Sequence, residues 1–381
     1  MRPKHEIGNI AIMTAAVVGP FLGLLLAIYF AWNQYVFPSD LVLFGVLAVV
    51  LGMGATVGYH RMLTHQGFDA PAWLRGLFLI LGSMAYAGSR PDEWAATHIR
   101  HHAHSDEEGD PHSPLEGFWH AHFGWLFSLR NFSDAKEYAP HLLQDPVVMF
   151  VSRYSTVWML LSFAIPFAIG GWTGLLWGGV VRLFWSTHTT WSVNSICHTF
   201  GRRPFETTDE SRNEWVIGLL AFGEGWHNNH HAFPRNAFHG MRWWQFDLSG
   251  LLIRALEKIG LVWNVQRVSF ETELAHRGKA AAMWQALGEL RQSALASIAA
   301  ARRQWALSAN EYMNSLSEAQ LKQWETLQMD SVKRLDDMHE AVLRSAHLKR
   351  AKLLQYQREA ERLAAECKQK LAAVTGSMAN A

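Results

Sequence analysis

Residues 10 to 31 read IAIMTAAVVGPFLGLLLAIYFA, without one charged side chain. A helix needs about 20 mostly apolar residues to cross the hydrocarbon core of a bilayer. Inside lipid every backbone polar group must be satisfied within the protein, so spanning segments are confined to helices or closed barrels. Leu41–Tyr59 repeats the feature after a short turn with Pro38, and Tyr154–Gly171 is a third run. Trp172 to about Ile196, entered through Gly170-Gly171, is a fourth. It carries Arg182, which is costly at that depth unless it faces the bundle or snorkels. The expected class is an all-α integral membrane protein with four transmembrane helices.

Gly76–Gly88 is apolar but short, and Arg75 and Arg90 flank it. If it crossed, His60 and His65 would lie on the opposite face from His98, His101 and His102, so it is expected to be an interfacial or re-entrant helix. Arg2 and Lys4 precede the first run, Arg61 and Arg75 follow the second, and Arg202 and Arg203 follow the fourth. The turns at 32–40 and 170–173 hold no Lys or Arg. By the positive-inside rule both termini and all the histidine clusters are expected in the cytoplasm, in a multi-pass membrane protein. No small-residue cleavage site follows the first run, so it reads as a retained anchor rather than a signal peptide.

The 34 Lys+Arg against 33 Asp+Glu give no argument for nucleic-acid binding. Cys197 and Cys367 are too few for a disulfide framework or a zinc ribbon and fit reducing surroundings. Two parts are expected: a membrane-embedded domain over 1–267 and a charged helical tail over 268–381. The tail lacks proline, and its stretches 282–307 and 330–371 read as a pair of long, polar, amphipathic helices without a clean heptad.

The chain also holds 20 His. HIRHH (98–102) and HNNHH (227–231) share one pattern, His at i, i+3 and i+4, which puts three imidazoles on one helical face. HRMLTH supplies His60 and His65; at i+5 these point in different directions on an α-helix, so they are expected to serve different metals. NSICH adds Asn194 and His198 at i+4. Nine His and one Asn are too many ligands for one ion and about right for two, each with an open position. Imidazole suits Fe, Zn and Cu, and open positions on Fe suit oxygen activation. A single His pair arises readily by chance, whereas the repeated boxes at the cytoplasmic ends of spans do not. His5, His104, His112, His120, His122, His141, His188, His239, His276, His339 and His347 are expected to be non-ligands, with His104 and His112 the nearest exceptions.

HRMLTH, DEWAATHIRHHAHSDEEGDPHSP, NSICHTFGRRPF and GEGWHNNHHAFP together resemble the integral-membrane fatty acyl desaturases of the Δ9, stearoyl-CoA desaturase-like group, in its bacterial type. The similarity covers roughly residues 40 to 265. It implies a cytoplasmic helical cap with a non-haem di-iron site that uses O2 and electrons from an external donor. By this resemblance His60, His65, His98, His101, His102, His198, His227, His230 and His231 are iron ligands. Asn194 holds an iron-bound water, and Trp94 and Thr190 shape the acyl tunnel. The group's Arg-Asp pair, which contacts the CoA headgroup, is replaced here by Ala96-Thr97, and no HPGG-type cytochrome b5 motif is present. The substrate is therefore expected to be a long acyl chain on CoA or in a lipid, with acyl-CoA slightly favoured. The donor is expected to be a separate ferredoxin or cytochrome b5 system. An unactivated methylene has no acidic proton for a general base to take, which is why an O2-activating metal pair is needed. A membrane hydroxylase is the nearest alternative. A metal-handling membrane protein would want His, Asp or Glu at mid-membrane depth, and the first three runs carry none.

Overall fold

The structure, a computed structural model, describes residues 4–375 apart from 34–35, 129–130, 313–315 and 345–349. The regular structure of the described residues is helical, and their only ladder pairings are isolated bridges. Three helical runs are long and apolar enough to cross a membrane: Ile10–Ala31, Pro38–Thr64 and Ser155–Ser195. The last is not one straight rod. Gly171 sits at φ 59° and ψ −142°, in the left-handed region that glycine enters without steric cost. The two halves then run back along each other. Arg182 Nη2 reaches Ser162 O at 3.4 Å, and a Cβ added to Gly178 would lie 2.8 Å from the Pro166 side chain.

The helix Ala72–Ala85 spans 14 residues, about 21 Å, short of the roughly 30 Å hydrocarbon core. It packs antiparallel on the second run. A Cβ on Gly54 would come within 2.2 Å of Gly82 N, so only glycine permits that approach. The chain then turns through Ala87 (φ 52°) and Gly88 (φ 87°), and Tyr59 Oη donates to Ser89 O at 2.7 Å. Arg182 is fully buried and faces the bundle. Its guanidinium donates to Met84 O (3.2 Å) and Ala85 O (3.0 Å), the orphan carbonyls at the end of this helix, where the negative pole of the helix dipole also lies.

The second run changes character partway. Pro38–Met53 is α-helical, but Gly54–Thr64 is a π-helix, and the wider turn continues into His65, whose N–H bonds to His60 O at 3.1 Å. Such segments tend to mark functional sites. Shorter helices follow: Pro91–His104, Phe118–His122, Trp215–Leu220, His227–Ala232 and Leu248–Lys258.

By internal contacts the chain divides into two units, Met1–Leu274 and Ala275–Ala381. The second has its own core, in which Trp305 and Trp324 stack with ring centroids 5.2 Å apart beside Leu335, Val342, Leu353 and Leu363. Among the described residues this part of the chain holds the helices Phe270–Tyr312, Glu318–Arg344 and Arg350–Thr375. The stretch expected as one helix over 330–371 is helical over Glu318–Arg344 and from Arg350 on, and its residues 345–349 lie outside the described residues. Leu335 and Val342 share a core with Leu353 and Leu363, and Trp305 Nε1 donates to Leu363 O at 2.9 Å.

Candidate metal centre

Nine of the ten proposed ligands fall into two groups of buried and half-buried side chains. His60, His65, His98, His102 and His230 form one; His101, His198, His227 and His231 form the other. Within each, the ligand nitrogens lie within 4.8 Å of one another. The two HxxHH boxes are shared out in a crossed way. The i, i+4 pair of the first box, His98 and His102, enters the five-His group, and His101 enters the other. The second box sends His227 and His231 to the four-His group and His230 to the first. Residues at i and i+4 lie one above the other on a helix, while i+3 is rotated to the side, so one box can serve two centres.

One expectation is corrected. His60 and His65 belong to the same group, their ring centroids 4.8 Å apart. The α-helical period made i+5 diverge. The π-helix over Gly54–Thr64 widens the turn, so residues five apart come round to one face.

The imidazole nitrogens point at one another. Nε2–Nε2 separations run 3.0 Å (His65–His98), 3.1 Å (His98–His102), 3.0 Å (His102–His230) and 3.1 Å (His230–His60). In the second group His198–His227 and His227–His231 are each 3.0 Å. Carboxylates fix which nitrogen faces inward. His60 Nδ1 donates to Glu224, His101 Nδ1 to Asp110 (3.0 Å), His198 Nδ1 to Asp106 (2.8 Å) and His231 Nδ1 to Asp209 (2.6 Å). With Nδ1 so committed, each of these rings, while neutral, offers only a lone pair at Nε2. Buried His101 Nε2 has no hydrogen-bond partner. Converging lone pairs repel unless a cation lies among them, so the donor set fits metals, and carboxylate–imidazole pairs of this kind are the usual outer support of a metal site.

Electrostatics agree. Burial, reinforced by neighbouring imidazoles, pushes His65, His98, His102, His227 and His230 well below the usual histidine range, toward the neutral form a metal needs. Burial would raise Glu224 and Asp209, but His239 and His60 with Arg61, and His231 with His198, hold these carboxyls below their ordinary range. Burial opposes charge on His198 as well, yet Asp106 outweighs it and lifts the ring to about 9. A metal there replaces a proton.

Glu224, Asp106, Asp110 and Asp209 were not singled out from the sequence. Three lie inside the histidine boxes (GEGWH, HSDEEGDPH), where a search for acids beside each imidazole would have found them; Asp209 carried no local signal. Glu224 is further anchored by Arg61, whose Nη2 and Nε donate at 2.9 and 3.1 Å while its Nη1 reaches Asp247 at 2.9 Å. His112, with a ring 4.3 Å from His101, and His239, with Nδ1 3.3 Å from Glu224, stand directly behind the groups. His122 and His188 pair with each other instead, at 3.0 Å. His104, His120, His141, His276 and His339 join neither group; the His5 side chain and His347 lie outside the described residues.

A mostly apolar cavity opens beside the groups. His60, His98, His227, Glu224 and Asn194 form its metal-side wall, and Trp94, Tyr86, Thr190 and Trp185 line it as well. Trp94 stacks on His98 (5.1 Å, 20°), and Thr190 shares a 2.7 Å hydrogen bond with Tyr86 Oη. Tyr86 and Trp185 are among the lining residues that sequence reasoning missed.

Comparison with known proteins agrees with this geometry. The sn-1 stearoyl-lipid 9-desaturase of Anabaena variabilis is 40% identical over 216 residues, 56% of this chain and 79% of that protein. The enzyme of the same name from Synechocystis sp. is 40% identical over 227 residues, 59% and 71% of the two chains. Icosanoyl-CoA 5-desaturase of Limnanthes douglasii is 38% identical over 267 residues, 69% and 72%. Residues 40–267, which contain every box and the cavity, match the family described as fatty acid desaturase, and the chain belongs to that family.

Proposed function

We propose that this desaturase inserts a cis double bond, at the Δ9 position, into a long saturated acyl chain lying in the cavity beside the histidine groups. His60, His65, His98, His102 and His230 would hold one iron; His101, His198, His227 and His231, with Asn194 through a water, would hold the second. That pair supplies O2-dependent hydrogen-atom abstraction, with electrons from a separate ferredoxin or cytochrome b5 system. The protein's own part is placement. Trp94, Thr190 and Tyr86 confine the chain, the apolar wall excludes water, and the carboxylates keep each Nε2 aimed inward. The observation that carries the reading is the junction of converging imidazole nitrogens with an apolar cavity.

The reversal at Gly171 supports four spans, the third and fourth being the halves of Ser155–Ser195. The turn through Ala87 and Gly88 supports a re-entrant Ala72–Ala85, which leaves all boxes on the cytoplasmic face. Exposed Tyr29, Phe37 and Trp172 at the opposite turns suit the headgroup level of the other leaflet.

The acyl carrier is better matched by a lipid than by CoA. Ala96 and Thr97 are buried, and Thr97 Oγ1 is occupied with Glu93 O and Ser133 N. Arg90 is held by Asp92 (2.8 Å) and Glu93 (3.2 Å), and Arg203 by Glu210 (3.3 Å). Arg90 and Arg203, cations near the boxes that could meet CoA phosphates, are thus already paired.

Expression in a host without a Δ9 desaturase, followed by lipid analysis, tests the proposal. A new cis double bond with the wild type and none with His101→Ala is the expected result. A hydroxylated chain would assign the chemistry to oxygen insertion instead. Purified enzyme that converts acyl-CoA, with affinity falling steeply as salt is added, and leaves phospholipid chains unchanged would reverse the carrier assignment.

A further inference from the structure

The cap carries an apolar face that the chemistry does not use. Trp243 is 96% exposed and Trp215 67%, and Leu219, Trp244, Phe246 and Leu251 are exposed beside them. They form one surface because buried Trp226 underlies it. Its ring meets Trp244 edge-on at 5.6 Å, its Nε1 donates to Phe246 O at 2.8 Å, and it packs under Gly218 of the helix Trp215–Leu220. Leu251 joins through its own helix, where Ser249 N–H donates to Phe222 O at 3.1 Å. Neither WVIGLL (215–220) nor WWQF (243–246) contains a charge, and neighbouring Arg242 is paired with Glu273. A cluster of large exposed apolar side chains needs a partner.

Its depth identifies the partner. Ser249 Oγ is 2.7 Å from Thr56 Oγ1, and Phe222 packs on Gly52, so this face is fastened to the second apolar run at residues 52–56. Thr56 stands 18 residues beyond Pro38. That is about 27 Å of helix, close to the roughly 30 Å thickness of a hydrocarbon core. The face therefore begins where that core ends, and Leu41, Val42, Val46, Val49 and Val50 of the same run, at core depth, are exposed. Amphipathic indole rings are at their most favourable at headgroup depth. A docking site for a charge-steered protein would instead present ions.

We propose that Trp215, Leu219, Trp243, Trp244, Phe246 and Leu251 are seated in the headgroup layer of the cytoplasmic leaflet, with the lipid surface as their partner. This rests on the reading of Pro38–Thr64 as a membrane span. The face is one layer of chain from the cavity, since Ala221 and Phe222, which line it, follow directly on Trp215–Leu220. The cap is thus held against the bilayer at the cavity's wall, where a lipid-borne acyl chain would be drawn out.

Both native cysteines are fully buried, so one engineered cysteine can be labelled selectively. Full-length Trp243→Cys, Trp215→Cys, Val46→Cys and Glu108→Cys, each carrying a bimane, would be reconstituted in phosphatidylcholine–phosphatidylglycerol vesicles. Lipids with a nitroxide near the headgroup or near the chain end would then be added. Labels at 243 and 215 should lose most fluorescence to the shallow nitroxide, the label at 46 to the deep one, and the label at 108 only to aqueous iodide. If 46 responds to the deep nitroxide while 243 and 215 behave like 108, the proposal fails and the span stands. If 46 itself ignores the lipid quenchers, the span reading fails and takes the proposal with it. Shielding of 243 that requires a soluble electron-donor protein and no lipid would make the face a protein dock and overturn the proposal.

Discussion

Replacing Glu224 by Gln keeps the volume of the side chain and removes its charge. In the wild type the carboxylate accepts from His60 Nδ1 and from Arg61 Nη2 and Nε (2.9 and 3.1 Å), with His239 Nδ1 3.3 Å away, all in a site from which water is nearly excluded. Gln can still accept one of these bonds. It cannot balance Arg61, which keeps only Asp247, nor strengthen His60 as a ligand. Hydrogen bonds to charged groups contribute about 1.5–3 kcal/mol each. Loss of a carboxylate behind a metal-bound histidine typically weakens binding roughly 10–100-fold, or about 1.4–2.7 kcal/mol. The expected result is a 10–100-fold faster loss of iron to a chelator from the five-His group, at unchanged membrane insertion. Asp209→Asn should do the same at the four-His group through His231. The assay is iron retained against time in chelator, read by metal analysis on detergent-purified protein. Retention by Glu224→Gln equal to wild type would refute the reasoning, because the carboxylate would then be a bystander to His60.

Three further outcomes are expected. Gly54→Ala, which brings a Cβ to 2.2 Å from Gly82 N, should push the two helices apart and lower thermal stability by roughly 1–3 kcal/mol, seen as a lower unfolding midpoint in detergent. Arg182→Leu orphans the carbonyls of Met84 and Ala85 and should destabilise by roughly 2–4 kcal/mol on the same assay. Metal-free protein should lose stability as pH falls below about 6.5, because burial holds His239 at about 4 and, with His101, His112 at about 3, so the unfolded chain binds more protons there. His198 works in the opposite sense, its contribution present below about 6.5 and lost as pH rises through about 9. A midpoint of the metal-free protein that is flat between pH 7 and 4 would contradict this.

What the sequence made legible was whatever rests on local pattern. Uncharged runs of span length announce themselves, and the i, i+3, i+4 spacing of both HxxHH boxes was enough to gather their imidazoles. For Arg182 the sequence left facing the bundle and snorkelling both open, because its four carbonyl partners come from three separate stretches of chain. The pairing of His60 with His65 was read wrongly because a π-helix leaves no signature in residue type; it arises from how Gly54 and Gly58 pack on Ala72–Ala85. Asp209 and Tyr86 were missed because each matters only through a partner far along the chain, His231 and Thr190.

The central claim, that nine histidines build a pair of iron sites, is tested most directly by counting metal in protein purified from iron-replete cells. Close to two irons per chain and no haem is the expected result, with His101→Ala and His230→Ala each losing iron while the protein remains in the membrane. A single tightly held zinc per chain, with activity that does not depend on iron, would contradict it.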